Sequence, residues 1–600
     1  MSAIPKSNLK RIRDILLADE NGINNDVNDN QGSDSDSDSD FLATESDDTS
    51  NSEHISEESD LSNSDFEHGD VVTLSQPETL KKNGVTWSMY PNLEQSRTAA
   101  ANVMKKKSGP TIKIQTILDA FKLFFTNEML EQIVLHTNLY AKRYYDKKIR
   151  PRQDSNNIRS DSHFWKPVDR IELESFIGLL IQSGVHRSNH ELLNDLWDIS
   201  QSCPLYRATM SLQRFKHLLQ FIRFDDGETR DKSDRLGPIR YIFDIFTKQL
   251  SKYFVPGENL TVDEQLVPFR GRCCFVQYMP SKPAKYGLKF WVLSDVDSRY
   301  VLSIDLYTGK KNNNIQKNLA TDVVLKLIDR LPNNVKQGRC ITFDRYFTDI
   351  KLSDALLDRK MTSIGVVEHR RSFLPDELKL CRRNLYSTWF YFSRQHMVLS
   401  YQAKEKKKPI IILSSSHNQP EVFDDDKKLP CAVHDYNQTK YGVDVIDQCI
   451  GNYTVRRINR RWPMYVFYNM IDIAAINSMT IWLCQNSDWN NGRTNTRRLF
   501  LSQLSFALTD EQNQRHSQQS RLKPKVKLAL LSLGYKLRSE NVQNSKVNVH
   551  LNSSKKRCYL CPSKPGRKVR QSCYDCRNNV CLSHSTRITT VTCQKCQEKN

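Results

Sequence analysis

Between Asp14 and Asp70 the chain contains no Lys or Arg. A stretch of one sign, built around SDSDSDSDF and Asn/Asp-rich text, is too polar to bury a core, so disorder is expected there. No run of about 18 apolar residues occurs, which argues against a bilayer-spanning helix and a membrane partner. The N-terminal text MSAIPKSNLKRIRDILLADE lacks the apolar run of a secretory signal, and an intracellular protein is expected. Cysteine is thinly spread over most of the chain. Eight lie between Cys203 and Cys484, spaced like buried thiols of a reducing compartment rather than a disulfide framework. The other seven crowd between Cys558 and Cys596.

The net charge of +19 conceals an asymmetry. Residues 1–70 hold 4 Lys/Arg against 19 Asp/Glu, a balance of −15, so residues 71–600 carry +34. A folded body with that excess suits a polyanion, because each cation set against a phosphate releases condensed counterions. Nucleic acid is therefore the first partner to consider.

Six hundred residues suggest three or four domains. We expect an acidic tail and linker over 1–109, the part from 71 being low in periodicity and ending in Lys105-Lys106-Lys107. Apolar residues recur at helical spacing over 110–255, as in TILDAFKLFFTNEMLEQIVLHTNLYAKRYY and ELESFIGLLIQSGVHRS. Ser160-Asp161-Ser162 and the Asn189/His190 region offer turn and capping chemistry between these helices. After Pro256-Gly257 the pattern changes to strands, with a hairpin turn at Asp297-Ser298. The order over 256–370 is strand, strand, strand, helix, strand, helix, strand, which suits a mixed sheet in an α+β multidomain chain. Residues 371–431 are a strand-rich insertion. Helical text resumes at 432–456 and continues over 457–535, and a basic linker, 536–556, precedes the cysteine-rich segment 557–600.

Three aspartates stand on these elements. Asp263 lies inside the first strand, where a charge between apolar neighbours is costly unless it is paired or metal-bound. Asp344 ends the strand CITFD, and Asp444 begins a helix on which Asp447 follows one turn later. Taken singly, each also reads as a turn or helix-start residue. Together they form an oxygen-ligand set of the kind Mg²⁺ prefers, and a metal pair at such acids activates a water or 3′-hydroxyl for in-line displacement at phosphorus. The chemistry implied is phosphodiester cleavage or transfer.

The stretches LTVDEQLVPFRGRC, YMPSKPAKYGLKFWVLSD, ITFDRYFTDIKLSDALL, YNQTKYGVDVIDQ and NRRWPMYVFYNMIDIAAINS resemble, in order and spacing, the hallmark stretches of piggyBac-family DNA transposases. The resemblance covers roughly 110–600. It implies a ribonuclease H-like core formed from 256–370 and 432–456, with 371–431 as an inserted domain. It also implies that the helices before and after the core pack together as a dimerisation and DNA-binding domain of a homodimer. Asp263, Asp344 and Asp444 match the family's catalytic acids, and Asp447 matches the acid beside them. The implied cofactors are a pair of Mg²⁺ or Mn²⁺ ions per active site. The implied reaction is cut-and-paste transposition: nicking at terminal inverted repeats, hairpin formation, and joining to TTAA targets. Lys285 and Lys289 are spaced for a phosphate-facing edge, and Arg370-Arg371 sit where the family carries basic residues near target DNA. Arg345-Tyr346 departs from the Asn-Trp or Asn-Tyr that follows the second acid, so an arginine here changes the electrostatics beside the acids or the target contacts. Trp462 is a candidate for seating the core against the helical domain.

The C-terminal segment reads Cys558-x2-Cys561, Cys573-x2-Cys576, Cys581-x2-His584 and Cys593-x2-Cys596. Those eight ligands suffice for a pair of closed tetrahedral zinc sites per chain. Alternating pairs would give a cross-brace, although the spacing leaves the pairing open. Lys564, Arg567, Lys568 and Arg570 lie between the first two pairs, placed for phosphate contact as in the family's cysteine-rich domain or for nuclear targeting. A nuclear protein bound to double-stranded DNA is the expectation. The competing readings are a transposase-derived protein that binds DNA without cutting it, and a chromatin factor built on the zinc module.

Overall fold

The computed structural model describes residues 76–91, 103–149, 165–200, 202–309, 318–380, 383–405, 407–538, 556–561, 568–569 and 579–584. The acidic stretch 1–70 and the expected capping residues Ser160-Asp161-Ser162 lie outside them. The chain divides into two units, residues 1–536 and 537–600.

In the first unit the helical stretch supplies α1 (Ile117–Lys122), α2 (Asn127–Ile149), α3 (Arg170–Val185), α4 (Leu212–Phe221) and α5 (Arg240–Leu250). Local chemistry sets their starts. Thr116 and Asp119 form a capping box at α1, each side chain accepting from the other's backbone N–H, at 3.1 and 2.9 Å. Asp169 caps α3 by accepting from Glu172 N at 2.9 Å. Later helices are α6 (Leu319–Asp329), α7 (Ile350–Asp358), α8 (Cys431–Thr439), α9 (Gly442–Asn452), α10 (Trp462–Gln485) and α11 (Thr496–Ser517).

The strands are β1 (Thr79–Lys82), β2 (Val85–Ser88), β3 (Asn259–Pro268), β4 (Tyr286–Asp295), β5 (Val301–Leu306), β6 (Cys340–Phe343), β7 (Thr362–Val366), β8 (Thr388–Ser393), β9 (His396–Tyr401) and β10 (Ile410–Ser414). They join one 11-stranded sheet in the order β1-β2-β8-β9-β10-β7-β6-β3-β4, with β5 and the short strand Gln277–Tyr278 both paired to β4. β3 runs antiparallel to β4 and parallel to β6, which is parallel to β7. This is the mixed sheet expected from the strand and helix order, in the ribonuclease H-like form that the resemblance implies. β3 is buried from Leu260 to Val267, hence its continuous apolar text around Asp263 and Glu264. The hairpin turn between β4 and β5 is held by Asp295, whose carboxylate accepts from Ser298 N at 2.9 Å and from Gly257 N at 2.8 Å.

The inserted piece 371–431 supplies β8, β9 and β10, which continue the core's own sheet through the antiparallel pair β10–β7. One expectation is corrected. Within the 71–108 linker or arm, residues 79–88 form the hairpin β1–β2, which extends the sheet through Phe392↔Ser88 and buries Trp87. Its signal was the Asn83-Gly84 pair, both at positive φ (47° and 77°), between two short apolar-polar strands. Farther along, Lys106 O accepts from Arg339 Nη2 at 2.9 Å, fixing that part of the arm near the start of β6.

The helices before and after the core pack together, as the resemblance implied. Gly178 of α3 permits a close approach to α11, since a Cβ there would lie 2.8 Å from Thr509 Cγ2 and 3.0 Å from Ser505 O. Ser505 Oγ donates to Gly178 O at 2.8 Å across the same contact. α10 alone is long and apolar enough to cross a membrane among the described residues, with 94% of its most apolar window buried inside the fold. It is the core helix of this unit. Its Asn477 clamps the sheet edge, accepting from Val301 N at 2.8 Å and donating to Val301 O at 2.9 Å. Asn477→Ala strands two buried backbone groups and is expected to cost about 2–4 kcal/mol, read as a lower urea midpoint with unchanged m-value.

Candidate active site and zinc-ligand cluster

The sheet register assembles the acids. β3 and β6 align Val262 with Phe343, and continuing that parallel register by one residue sets Asp344 alongside Asp263. The third acid comes from the first turn of α9. This helix can lie on β3 because its first residue is Gly442, where a Cβ would fall 2.2 Å from Thr261 Cγ2. Asp263, Asp344 and Asp444 all line one cavity of about 380 Å³.

The cavity penalises the charge of Asp263 and Asp344. Burial, then Asp444 and Glu264, hold Asp263 well above the usual carboxylate range. Burial and then Glu264 push Asp344 up to about 7, against the pull of the Tyr346 and Phe347 backbone N–H groups and of Arg345. Asp344 Oδ1 accepts from Tyr346 N at 3.0 Å, while its Oδ2 is buried without a hydrogen-bond partner. Three hard oxygen donors that repel one another, one of them with an unmatched oxygen, fit a divalent cation. Asp447 is placed differently and does not line the cavity. It lies against β3, where burial pushes it up to about 7 while Lys282 and a hydrogen bond from Gln265 pull it down.

Lys282, not singled out from the sequence, places Nζ 3.2 Å from Asp444 Oδ1. Burial opposes its charge, but Asp263, Asp444 and Asp447 together hold it above the ordinary lysine value. Its signal was the basic text before β4, where the sequence reading chose Lys285 and Lys289 instead. Lys285 is exposed, at φ 53°, in the turn before β4 and does not reach the cavity. Lys289 is a correction: it is buried, 3.7 Å from Glu264 and 3.9 Å from the Trp291 ring centre, so it faces the interior rather than a phosphate. β4 is buried on both faces from Gly287 to Asp295, so a side chain of either parity there is drawn inside. Arg370 lines the cavity with Arg345, Lys408 and Lys440. Arg371 instead braces the loop after Asp344, donating to Tyr346 O at 2.6 Å and lying 3.6 Å from Asp349. Trp462 packs edge-on against Phe275, ring centres 5.0 Å apart, which joins α10 to the segment after β3.

In the second unit, Cys558, Cys561, Cys581 and His584 bring their ligand atoms within 4.8 Å of one another. The Cys561–Cys581 sulfurs are 3.7 Å apart, and His584 Nδ1 lies 3.8, 3.6 and 3.3 Å from the three sulfurs. A tetrahedral zinc with ordinary bond lengths requires about 3.8 Å between sulfurs and about 3.6 Å from sulfur to nitrogen. The cluster joins the first and third pairs, the arrangement of a cross-brace. Cys573, Cys576, Cys593 and Cys596 lie outside the described residues, as do Lys564, Arg567 and Arg570. Lys568 is exposed on a short strand, Lys568–Val569, paired with Lys556–Arg557.

The family model for transposase IS4 matches residues 117–479. Human PiggyBac transposable element-derived protein 3 is 22% identical over 373 residues, 58% of this chain and 58% of that protein. Human PiggyBac transposable element-derived protein 2 is 23% identical over 375 residues, 60% of each. The chain thus spans about three fifths of the length of these curated relatives. A cryo-EM structure of a piggyBac transposase synaptic complex with hairpin DNA superposes with a TM-score of 0.66 at 31% identity, covering 82% of this chain and all of that one.

Two measurements test the site. The unfolded carboxylate value is about 3.9, and Asp344 and Asp447 sit at about 7 in the fold, so their stabilising contribution is complete below about pH 4 and is lost as pH rises through about 7. Mg²⁺ held by Asp344 should therefore raise the melting temperature more at about pH 8 than at about pH 5.5; an equal gain at both would exclude metal binding by Asp344. For the cysteine cluster, Cys581→Ser should lower the zinc content by about one per chain in elemental analysis. An unchanged content would remove Cys581 from the ligand set.

Proposed function

The chain belongs to the piggyBac-type transposase IS4 family, and from that membership we propose that it is a cut-and-paste DNA transposase acting on terminal inverted repeats. The observation that carries this reading is the convergence of Asp263, Asp344 and Asp444 on one cavity through the β3–β6 register and the α9 start. Those three acids would hold the divalent cations, with Asp447 supporting α9 against β3. A bound metal pair supplies activation of the attacking oxygen and stabilisation of the leaving one. Lys282 fixes the Asp444 carboxylate, and Arg371 fixes the loop that presents Asp344.

The reaction runs in the sequence typical of such hairpin-forming enzymes. Hydrolysis at the transposon end frees a 3′-hydroxyl, which attacks the opposite strand and closes a hairpin. Reopening restores the 3′-hydroxyls, and these join to a TTAA target. The likeness to a piggyBac complex holding hairpin DNA supports the hairpin step. The cation-rich body, +34 over residues 71–600, supports double-stranded DNA as the partner. The same reading assigns the zinc module to contacts at the repeats, the α3–α11 packing to the domain that pairs two protomers, and the nucleus as the place of action.

The test is an excision assay on a plasmid carrying the repeats that flank the native locus, with sequencing of the repaired donor site. Asp344→Asn and Asp263→Asn should each lower excision by about two orders of magnitude or more while the fold, checked by circular dichroism, is kept. Full activity in either variant refutes the assignment.

A further inference from the structure

Lys440 stands at the junction of α8 and α9, four residues before Asp444, and lines the same cavity as the three acids. Its Nζ is buried and has no hydrogen-bond partner. The ammonium lies 4.6 Å from the Tyr441 ring centre and 5.6 Å from that of Tyr436, so aromatic faces flank it where a counter-ion would otherwise be expected. Its backbone carbonyl accepts from Thr261 Oγ1 at 3.5 Å, which ties the root of the side chain to the strand that carries Asp263. Lys282, the other lysine beside the acids, is already committed to Asp444. Burial lowers Lys440 to about 8 against the opposing pull of Asp444, which is not a hydrogen-bond partner of its ammonium.

An unmatched ammonium in a low-dielectric cavity is costly, and an entering anion removes that cost. The remaining cations on the cavity wall differ in kind. Arg370 and Lys408 are exposed, suited to flanking phosphates, and Arg345 adjoins Asp344. A phosphate held at the acids would share the cavity with the buried Nζ of Lys440.

We propose that Lys440 is a further catalytic residue, whose ammonium donates to the non-bridging oxygens of the scissile phosphate. This rests on the transposase reading. Negative charge accumulates on those oxygens as the attacking and leaving groups pass through the in-line transition state, so the charge-assisted hydrogen bond strengthens as the reaction proceeds. No proton leaves Lys440 in this role.

The experiment uses the full chain in Ca²⁺ and measures affinity for a duplex from the flanking repeats. The duplex carries either the natural scissile phosphodiester or a neutral methylphosphonate at that one position. Wild type should prefer the phosphodiester by about 10-fold. Lys440→Met should show a clearly smaller preference, the remainder coming from the cation at the acids, and Lys440→Arg should keep more of it. Equal binding of the two duplexes by wild type overturns the proposal without recourse to a variant, as does an undiminished preference in a folded Lys440→Met. In Mg²⁺, Lys440→Met that cuts at the wild-type rate overturns it too. Should Asp344→Asn leave excision intact, the transposase reading fails, while the two-duplex comparison still decides whether Lys440 meets the phosphate.

Discussion

Repulsion among carboxylates sharing one poorly solvated cavity is the constraint around which this sheet is organised. Left to themselves, Asp263, Asp344 and Asp444 would separate or take up protons. The fold denies them the first choice by mounting them on rigid elements. Asp263 stands on β3, Asp344 directly follows the adjacent parallel strand β6, and the third is on a helix pressed against β3 at a glycine. Lys282 offsets part of the repulsion, while burial first and neighbouring carboxylates second raise Asp263 and Asp344, costs that a cation would relieve. Rigid support for a charged site requires a large apolar mass around it. Here α10, α3 and the buried strands share one core cluster, so the helical stretches and the sheet that carries the acids are energetically one body.

Much of this was legible in the sequence because it depends on local pattern. The strand and helix order over 256–370 follows from periodicity, and the four-ligand cluster at the C-terminus from paired Cys/His spacing. The adjacency of Asp263 and Asp344 follows from strand order once the sheet is assumed parallel at that point. Words such as YNQTKYGVDVIDQ added the third acid, which spacing alone could not have aligned with the other two.

What was not legible depends on direction and distance. Lys285 and Lys289 look equivalent as text, yet one lies in a turn and the other is drawn inside between Glu264 and Trp291. Lys282 sits in an ordinary basic stretch 162 residues before Asp444, and Lys440 stands four residues before Asp444 yet far in the chain from Asp263, so nothing local marks either as part of one cluster with all three acids. Arg370 and Arg371 are consecutive, but one lines the cavity and the other holds a backbone loop. The hairpin at Asn83-Gly84 was missed for another reason: its strands are four residues each and make sense only as an edge added to a sheet formed some 300 residues later.

That long-range closure shapes how the protein comes into being. Each wall of the cavity is emitted from the ribosome at a different time: β3 first, β6 about eighty residues later, and α9 a further hundred residues on. Loop closure over such separations is slow, and domains assemble as their last partner strand or helix emerges. Until Gly442 has reached Thr261 the acids have no common cavity. A nascent or truncated chain therefore carries the three acids without the cavity that gathers them, and the topology delays that site until most of the chain has been made.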